Sequence, residues 1–139
     1  MLILDTDHLA ALDRKKVIGE RLAKRLEIRR SEVSTTIVSI SEQLSGLLAL
    51  IASPGKEALL IENYGRLALK LEDLQEFVIL PWTTQSASVF DRLRREKLRI
   101  GTMDLRIASI ALANNATVLT ANLRDFRKVP DLRTENWLD

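Results

Sequence analysis

Cysteine is absent from this chain of 139 residues, so disulfides, zinc–thiolate centres and thiol catalysis are excluded together, and nothing argues for an oxidising compartment. Long hydrophobic runs are absent too. No apolar stretch approaches the ~20 residues that a membrane-spanning helix needs, and no basic leader precedes Leu2, Ile3 and Leu4. The expectation is a cytoplasmic protein with no membrane association. Excess charge is also lacking: 21 Lys and Arg stand against 19 Asp and Glu, a net +2 that does not by itself establish a nucleic-acid partner. Two local clusters matter more, Arg92, Arg94, Arg95, Lys97 and Arg99 in one stretch and Arg124, Arg127 and Lys128 in another. Each alone reads as a solvated helix face.

What is present is the balance of a folded protein, 46% apolar and 29% charged residues, at a length that suits one domain spanning residues 1–139. Short apolar or β-branched runs occur at 2–5, 33–38, 77–81 and 117–120, the pattern of strands buried on both faces of a parallel sheet. Between them, helical spacing links Ile18, Leu22 and Leu26; Leu44, Leu47, Leu48 and Ile51; Leu60, Tyr64, Leu67, Leu71 and Leu74; Val89, Phe90 and Leu93; and Leu105, Ala108 and Leu112. The alternation predicts a three-layer α/β/α sandwich with a parallel sheet of four or five strands, the last 11 residues supplying an edge strand. Ser53, Pro54 and Gly55 separate two helices, and Pro81 closes a strand. Trp82 and Trp137 read first as packing residues and second as surfaces for base stacking.

The acids are placed unusually. Asp5 ends the first strand, and in an open parallel sheet ligands collect outside the carboxyl ends of the strands; the competing reading is that Asp5 caps the following turn. Ser39 and Glu42 form an S-x-x-E capping box on paper, worth ~1 kcal/mol with no chemistry attached. Asp104 falls in the first turn of a helix that Thr102 could cap, and Asn122 and Asp125 could be the N-cap and third residue of a short helical turn. Each acid has a structural explanation singly. Jointly, strand ends (Asp5, Asn122) and helix starts (Glu42, Asp104) can face one edge of the sheet, and carboxylates that meet there need a cation. With His8 as the one histidine, the ligands are hard oxygens, which favour Mg²⁺ or Mn²⁺.

The segments LILDTDHL, SISEQLSG, MDLRIASIAL and TVLTANLRDFRKVPDLRTENW, in this order, resemble the PIN-domain ribonucleases of the VapC type, the toxin halves of bacterial toxin–antitoxin pairs. The resemblance runs from Met1 to Trp137 and implies an acidic metal pocket in which Asp5, Glu42 and Asp104 are the catalytic, metal-holding acids. Asn122 matches a fourth position that is Asp in many relatives and Asn in others, with Asp125 one turn on as a substitute ligand or a loop stabiliser. Thr6 and Thr120 match hydroxyl positions that orient a carboxylate. Asp7 stands where relatives carry a short polar residue, and would steady the turn or add negative charge. His8 is read as a packing or surface residue and not as a general base. Gly46 fits an E-x-x-x-G spacing that implies close helix packing.

The resemblance further implies metal-assisted hydrolysis of RNA, such as transfer or ribosomal RNA, with Arg94, Arg95, Arg106 and Arg124 holding the RNA backbone. It also implies a homodimer and a small antitoxin lying over apolar helical faces near residues 9–26 and 44–74. Two other readings compete. The D-T-D triplet after an apolar strand suggests a haloacid-dehalogenase-type phosphatase, with Asp5 as nucleophile and Asp7 as acid–base partner, although Leu9 is atypical and no later acidic pair or separate lysine is evident. A catalytically weak binding module acting through an antitoxin is left open by Asn122.

Overall fold

The computed structural model describes residues 1–13 and 16–139. The chain runs β1 (Leu2–Leu4), α1 (Thr6–Asp13), α2 (Val17–Ile28), a 3₁₀ turn (Arg30–Glu32), β2 (Val33–Thr36), α3 (Ile37–Ala52), α4 (Glu57–Leu74), β3 (Val78–Leu80), α5 (Thr84–Arg95), α6 (Thr102–Ala113), β4 (Thr117–Leu119), α7 (Leu123–Phe126) and β5 (Arg133–Glu135). The five strands form one sheet in the order β3-β2-β1-β4-β5, and every pairing is parallel. All four runs picked out by composition are strands, and the C-terminal segment does supply an edge strand.

Successive strand residues face opposite sides of the sheet, and each side has its own core. Ile3 and Val118 pack on one face with Val38, Phe90, Leu93, Leu105, Ile107, Ile110 and Phe126, beneath α3, α5, α6 and α7. Leu2, Leu4 and Leu119 face the other way onto Leu9, Leu22, Leu26 and Trp137, beneath α1, α2 and the C-terminal segment. The central strand is thus sealed twice over. The polar residues of β2 are accommodated by donating to its neighbour, Ser34 to the Leu2 carbonyl at 3.0 Å and Thr35 to the Leu4 carbonyl at 2.9 Å.

Three expectations are corrected. Ile18, Tyr64 and Leu71 have helical spacing but are exposed, and α4 buries fully only Leu74 while Leu60 and Leu67 are half-buried. Helical periodicity reports an apolar face, and here much of that face has no cover from the described residues. Gly46 does not permit close helix packing in this chain, because a Cβ built there meets nothing within 4 Å.

The third correction concerns the start of α3. The helix begins directly after β2, with Thr36 as N-cap accepting the Ser39 amide at 3.0 Å. Ser39 is therefore the third helical residue and not a cap, so Ser39 and Glu42 form no capping box. Replacing the fully buried Thr36 by the isosteric Val removes the cap and leaves a buried amide without a partner. We expect Thr36→Val to lose ~1–2 kcal/mol of unfolding free energy in urea denaturation.

Candidate active site

Strand order fixes where a site can form. The chain leaves β1 toward β2 and β3 on one side and returns to β4 on the other, so the crevice at the carboxyl ends of β1 and β4 is the topological switch point of the sheet. Asp5 follows β1 at that point and is only 4% exposed. One of its oxygens does cap α1, accepting the His8 amide at 3.2 Å. The capping reading is therefore correct but incomplete, since it occupies one oxygen of two. Burial drives the Asp5 carboxyl pKa up to about 6; the neighbouring Asp7 adds to the rise, while hydrogen bonds from His8 and Thr120 oppose it.

With the capping box removed, Glu42 has a different contact. It lies in the second turn of α3, half-buried, and its Oε1 accepts the Thr6 hydroxyl at 3.0 Å across 36 residues of sequence. Thr6, the first residue of α1, is thus the hydroxyl that orients a carboxylate, as its position suggested.

Asp104 approaches from a third element. Gly101, not Thr102, is the N-cap of α6, and it offers no side-chain cap. Asp104 sits at the third helical position, where the helix dipole favours negative charge. Burial nevertheless raises its pKa, the charge of Glu42 raises it further, and the Asn122 amide offsets part of the rise. Asn122 occupies the N-cap position of α7 but does not cap with its side chain. Its Nδ2 donates to Asp104 at 3.3 Å and to Asp125 at 3.1 Å. Asp125 is further engaged by Lys128 at 3.0 Å, which together with Asn122 holds its carboxyl below the ordinary range. It is already neutralised by a cation of the chain itself. Thr120 accepts the Asn122 amide at 2.9 Å and fixes the same loop.

Asp7 and His8 complete the crevice. Both oxygens of Asp7 accept the Ala121 amide, at 3.2 and 3.1 Å, so Asp7 clamps α1 to the loop after β4. His8 is fully buried, with Nδ1 at 2.6 Å from Asp7 and 3.6 Å from Asp5. Its Nε2 accepts the Trp137 backbone amide at 3.2 Å, which a neutral ring can do only with its proton on Nδ1. Burial works against charge on His8, but hydrogen bonds and charge from Asp5 and Asp7 outweigh it and hold its pKa above the ordinary imidazole value. Burial also pushes the Asp7 carboxyl up, but His8 and the Ala121 amide more than offset this and leave it below the usual range. Nothing local in the sequence signals the contact between His8 and Trp137, which spans 129 residues.

These acids divide by the company they keep. Asp7 and Asp125 are satisfied by N–H donors, whereas Asp5 and Asp104 hold protons more tightly than free carboxylates do. Oxygen donors that repel one another suit a hard divalent cation, which relieves the repulsion. Among the described residues the cation-sized cluster is Asp5, Asp7 and His8, whose ligand atoms lie within 4.8 Å of one another, and Glu42 and Asp104 stand outside it; both ring nitrogens of His8 are engaged, so the oxygens are the donors a cation would meet. The phosphatase reading of D-T-D fails here, because Asp7 is bound to a backbone amide rather than aimed as an acid. Arg94, Arg95 and Arg124 are exposed at the ends of α5 and on α7, and Arg106 is half-buried on α6 with its guanidinium 5.6 Å from the Phe90 ring centroid.

A PIN domain family model matches residues 2–132. The chain belongs to the PIN domain family. Over 80 residues this PIN domain is 36% identical to ribonuclease VapC2 of Rickettsia felis, a stretch covering 55% of the chain and 58% of that protein. It is 25% identical over 122 residues, 85% of both chains, to the tRNA(fMet)-specific endonuclease VapC of Salmonella typhimurium. The crystal structure of VapBC2 from Rickettsia felis bound to a promoter DNA fragment contains a chain that superposes with a TM-score of 0.77 at 25% identity, covering 98% of each. The likeness extends to the layered α/β architecture of this PIN domain and its five-stranded parallel sheet.

Two measurements follow from the electrostatics. Because the folded state holds the Asp5 proton more tightly than the unfolded chain does, Asp5 destabilises the metal-free fold as pH rises from below about 4 through about 6. Asp5→Asn in EDTA at pH about 8 should therefore unfold at higher denaturant, by ~1–3 kcal/mol, with the difference vanishing near pH 4. In ¹⁵N NMR on the alkaline side of its titration, His8 should report a protonated Nδ1 and an unprotonated Nε2.

Proposed function

We propose that this PIN domain is a Mg²⁺- or Mn²⁺-dependent endoribonuclease and the toxin half of a toxin–antitoxin pair, with Asp5, Glu42 and Asp104 as the acids that hold the ion. The observation that carries the reading is the elevated proton affinity of Asp5 and Asp104 in a crevice where Glu42 is the strongest charge acting on Asp104. Relatives named as ribonucleases, one of them a tRNA(fMet)-specific endonuclease, supply the substrate class.

A divalent ion at this site supplies positive charge to a phosphodiester and acidifies water, the two requirements of metal-assisted hydrolysis. The chain's own residues do the rest. Thr6 fixes the rotamer of Glu42, and Asn122 holds Asp104 and Asp125 at a set separation. Asp7 keeps the Thr120–Asn122 loop, which carries the partner of Asp104, against α1. Exposed arginines hold the flanking backbone of single-stranded loops in RNA, since paired A-form RNA hides its base edges. Asn122 and Asp125 act as loop-forming partners rather than as principal ligands.

The apolar residues left uncovered on α2 and α4, among them Val17, Ile28, Leu59, Ile61 and Leu69, suit a protein partner. We assign them to a small antitoxin, as in the VapBC assemblies that this PIN domain resembles in fold, and to a homodimer contact. No helix among the described residues is long and apolar enough to cross a membrane, in keeping with a cytoplasmic toxin acting on RNA.

The test is cleavage of labelled transfer RNA with Mg²⁺ or Mn²⁺. Wild type should cut, and Asp5→Ala, Glu42→Ala or Asp104→Ala should each lose about a thousandfold in rate, the loss of several kcal/mol of charge stabilisation. Cleavage that persists in EDTA, or that is equal in all four proteins, would overturn the proposal. A protein that binds the antitoxin but cuts no RNA would favour the binding-module reading instead.

A further inference from the structure

The carboxyl end of β3, at the same edge of the sheet as Asp5, delivers an aromatic residue that the acidic crevice does not use. Trp82 is 38% exposed, although indole is among the costlier side chains to leave in water. It is not loose. Its ring meets Phe90 at a centroid distance of 5.6 Å and an interplanar angle of 77°, a T-shaped contact, while part of the indole stays in solvent. Phe90 is itself buried and carries two guanidinium groups, Arg94 at 5.5 Å and Arg106 at 5.6 Å from its centroid. Among the described residues neither arginine is in an ion pair, so their charge is available to a ligand.

We propose that Trp82 is a base-stacking platform for the RNA substrate, with Arg94 and Arg106 holding the phosphates on either side of the stacked nucleotide. A part-exposed indole packed on Phe90, the same ring that two unpaired guanidinium groups lie over, has the chemistry of a single-stranded nucleic-acid contact: the indole takes the base and the cations take the backbone. A peptide partner would satisfy the indole but would give two neighbouring cations no matching acids in general. Placement sets which nucleotide is involved. Arg106 follows Asp104 by two residues, which puts them on opposite sides of α6, separated by about the 10 Å width of a helix. The base on Trp82 therefore belongs to a nucleotide neighbouring the scissile phosphate, and not to the one being cut. The platform selects for an unpaired base beside the cleavage position.

This inference rests on the ribonuclease reading, and a substrate-side measurement separates the two. The cleavage of a single-stranded RNA oligonucleotide is followed for wild type, Trp82→Phe and Trp82→Leu, and again with oligonucleotides carrying an abasic site at each position flanking the cut. For wild type, removing one particular base should raise KM roughly 5- to 100-fold with little change in kcat. Trp82→Phe should keep most of that sensitivity. Trp82→Leu, which retains apolar cover over Phe90 but cannot stack, should show the raised KM with the complete oligonucleotide and no further rise with the abasic one. A Trp82→Leu protein that still pays the full abasic penalty, or a wild type indifferent to every flanking base, overturns the platform while leaving the ribonuclease intact. A wild type that cuts no RNA with either metal overturns both.

Discussion

Burial of carboxylates near the switch point of the sheet, reinforced by the charge of neighbouring acids, is the constraint on which the arrangement of donors around this crevice depends. A parallel sheet ordered β3-β2-β1-β4-β5 has one crevice where its strands diverge; Asp7 acts there on Asp5, and Glu42 from α3, Asp125 from α7 and Asp7 from α1 all act on Asp104. Ionised acids at such separation raise one another's proton affinity. The fold deals with this by distributing donors unevenly. Asp7 receives the Ala121 amide and His8, and Asp125 receives Lys128 and Asn122, so these two remain ionised at little cost. Asp5 receives the His8 amide with lesser help from the His8 ring and Thr120, and Asp104 one long hydrogen bond, too little to offset their burial. The same set of residue types is thereby sorted into acids that hold loops together and acids left with unmet demand for positive charge.

The sorting reaches the C-terminus through His8. With Nε2 accepting the Trp137 amide, the imidazole presents its proton to Asp7, and the tail after β5 becomes part of what positions the crevice. Trp137 is held in turn by Arg25 of α2, which donates to its carbonyl at 3.1 Å and lies 4.4 Å from its ring centroid. A helix on one face of the sheet, the last segment of chain and the first turn after β1 are connected through two side chains. None of these residues needs to touch a substrate for its loss to move one.

Strand positions were legible because burial on both faces leaves a short uniformly apolar signature, and Asp5 at the end of β1 and Asp104 in the first turn of α6 were legible because strand ends and helix starts can be read from the pattern. The role of each acid was not, since a helix start and a ligand position use the same residue types. Ser39 and Glu42 matched a capping box in spacing alone; the actual cap, Thr36, was hidden because the strand runs into the helix with no intervening loop. His8 was read as a packing residue, which its burial supports, but the contact that gives it a direction lies 129 residues away. On α4, periodicity identified an apolar face correctly and could not say whether this chain covers it.

The charge pattern has its own consequence for how RNA can approach. A net charge of +2 conceals an acidic crevice beside exposed arginines on α5 and α7. A phosphodiester is repelled by ionised Asp5, Glu42 and Asp104 at short range, while attraction to exposed arginines extends only about a Debye length, ~8–10 Å at ordinary ionic strength. On the proposed ribonuclease reading, RNA would be held first by its flanking phosphates at these arginines. On that reading, affinity from the arginines and reactivity from the crevice would be separable, and α6 would contribute to both through Asp104 and Arg106, two residues apart on it.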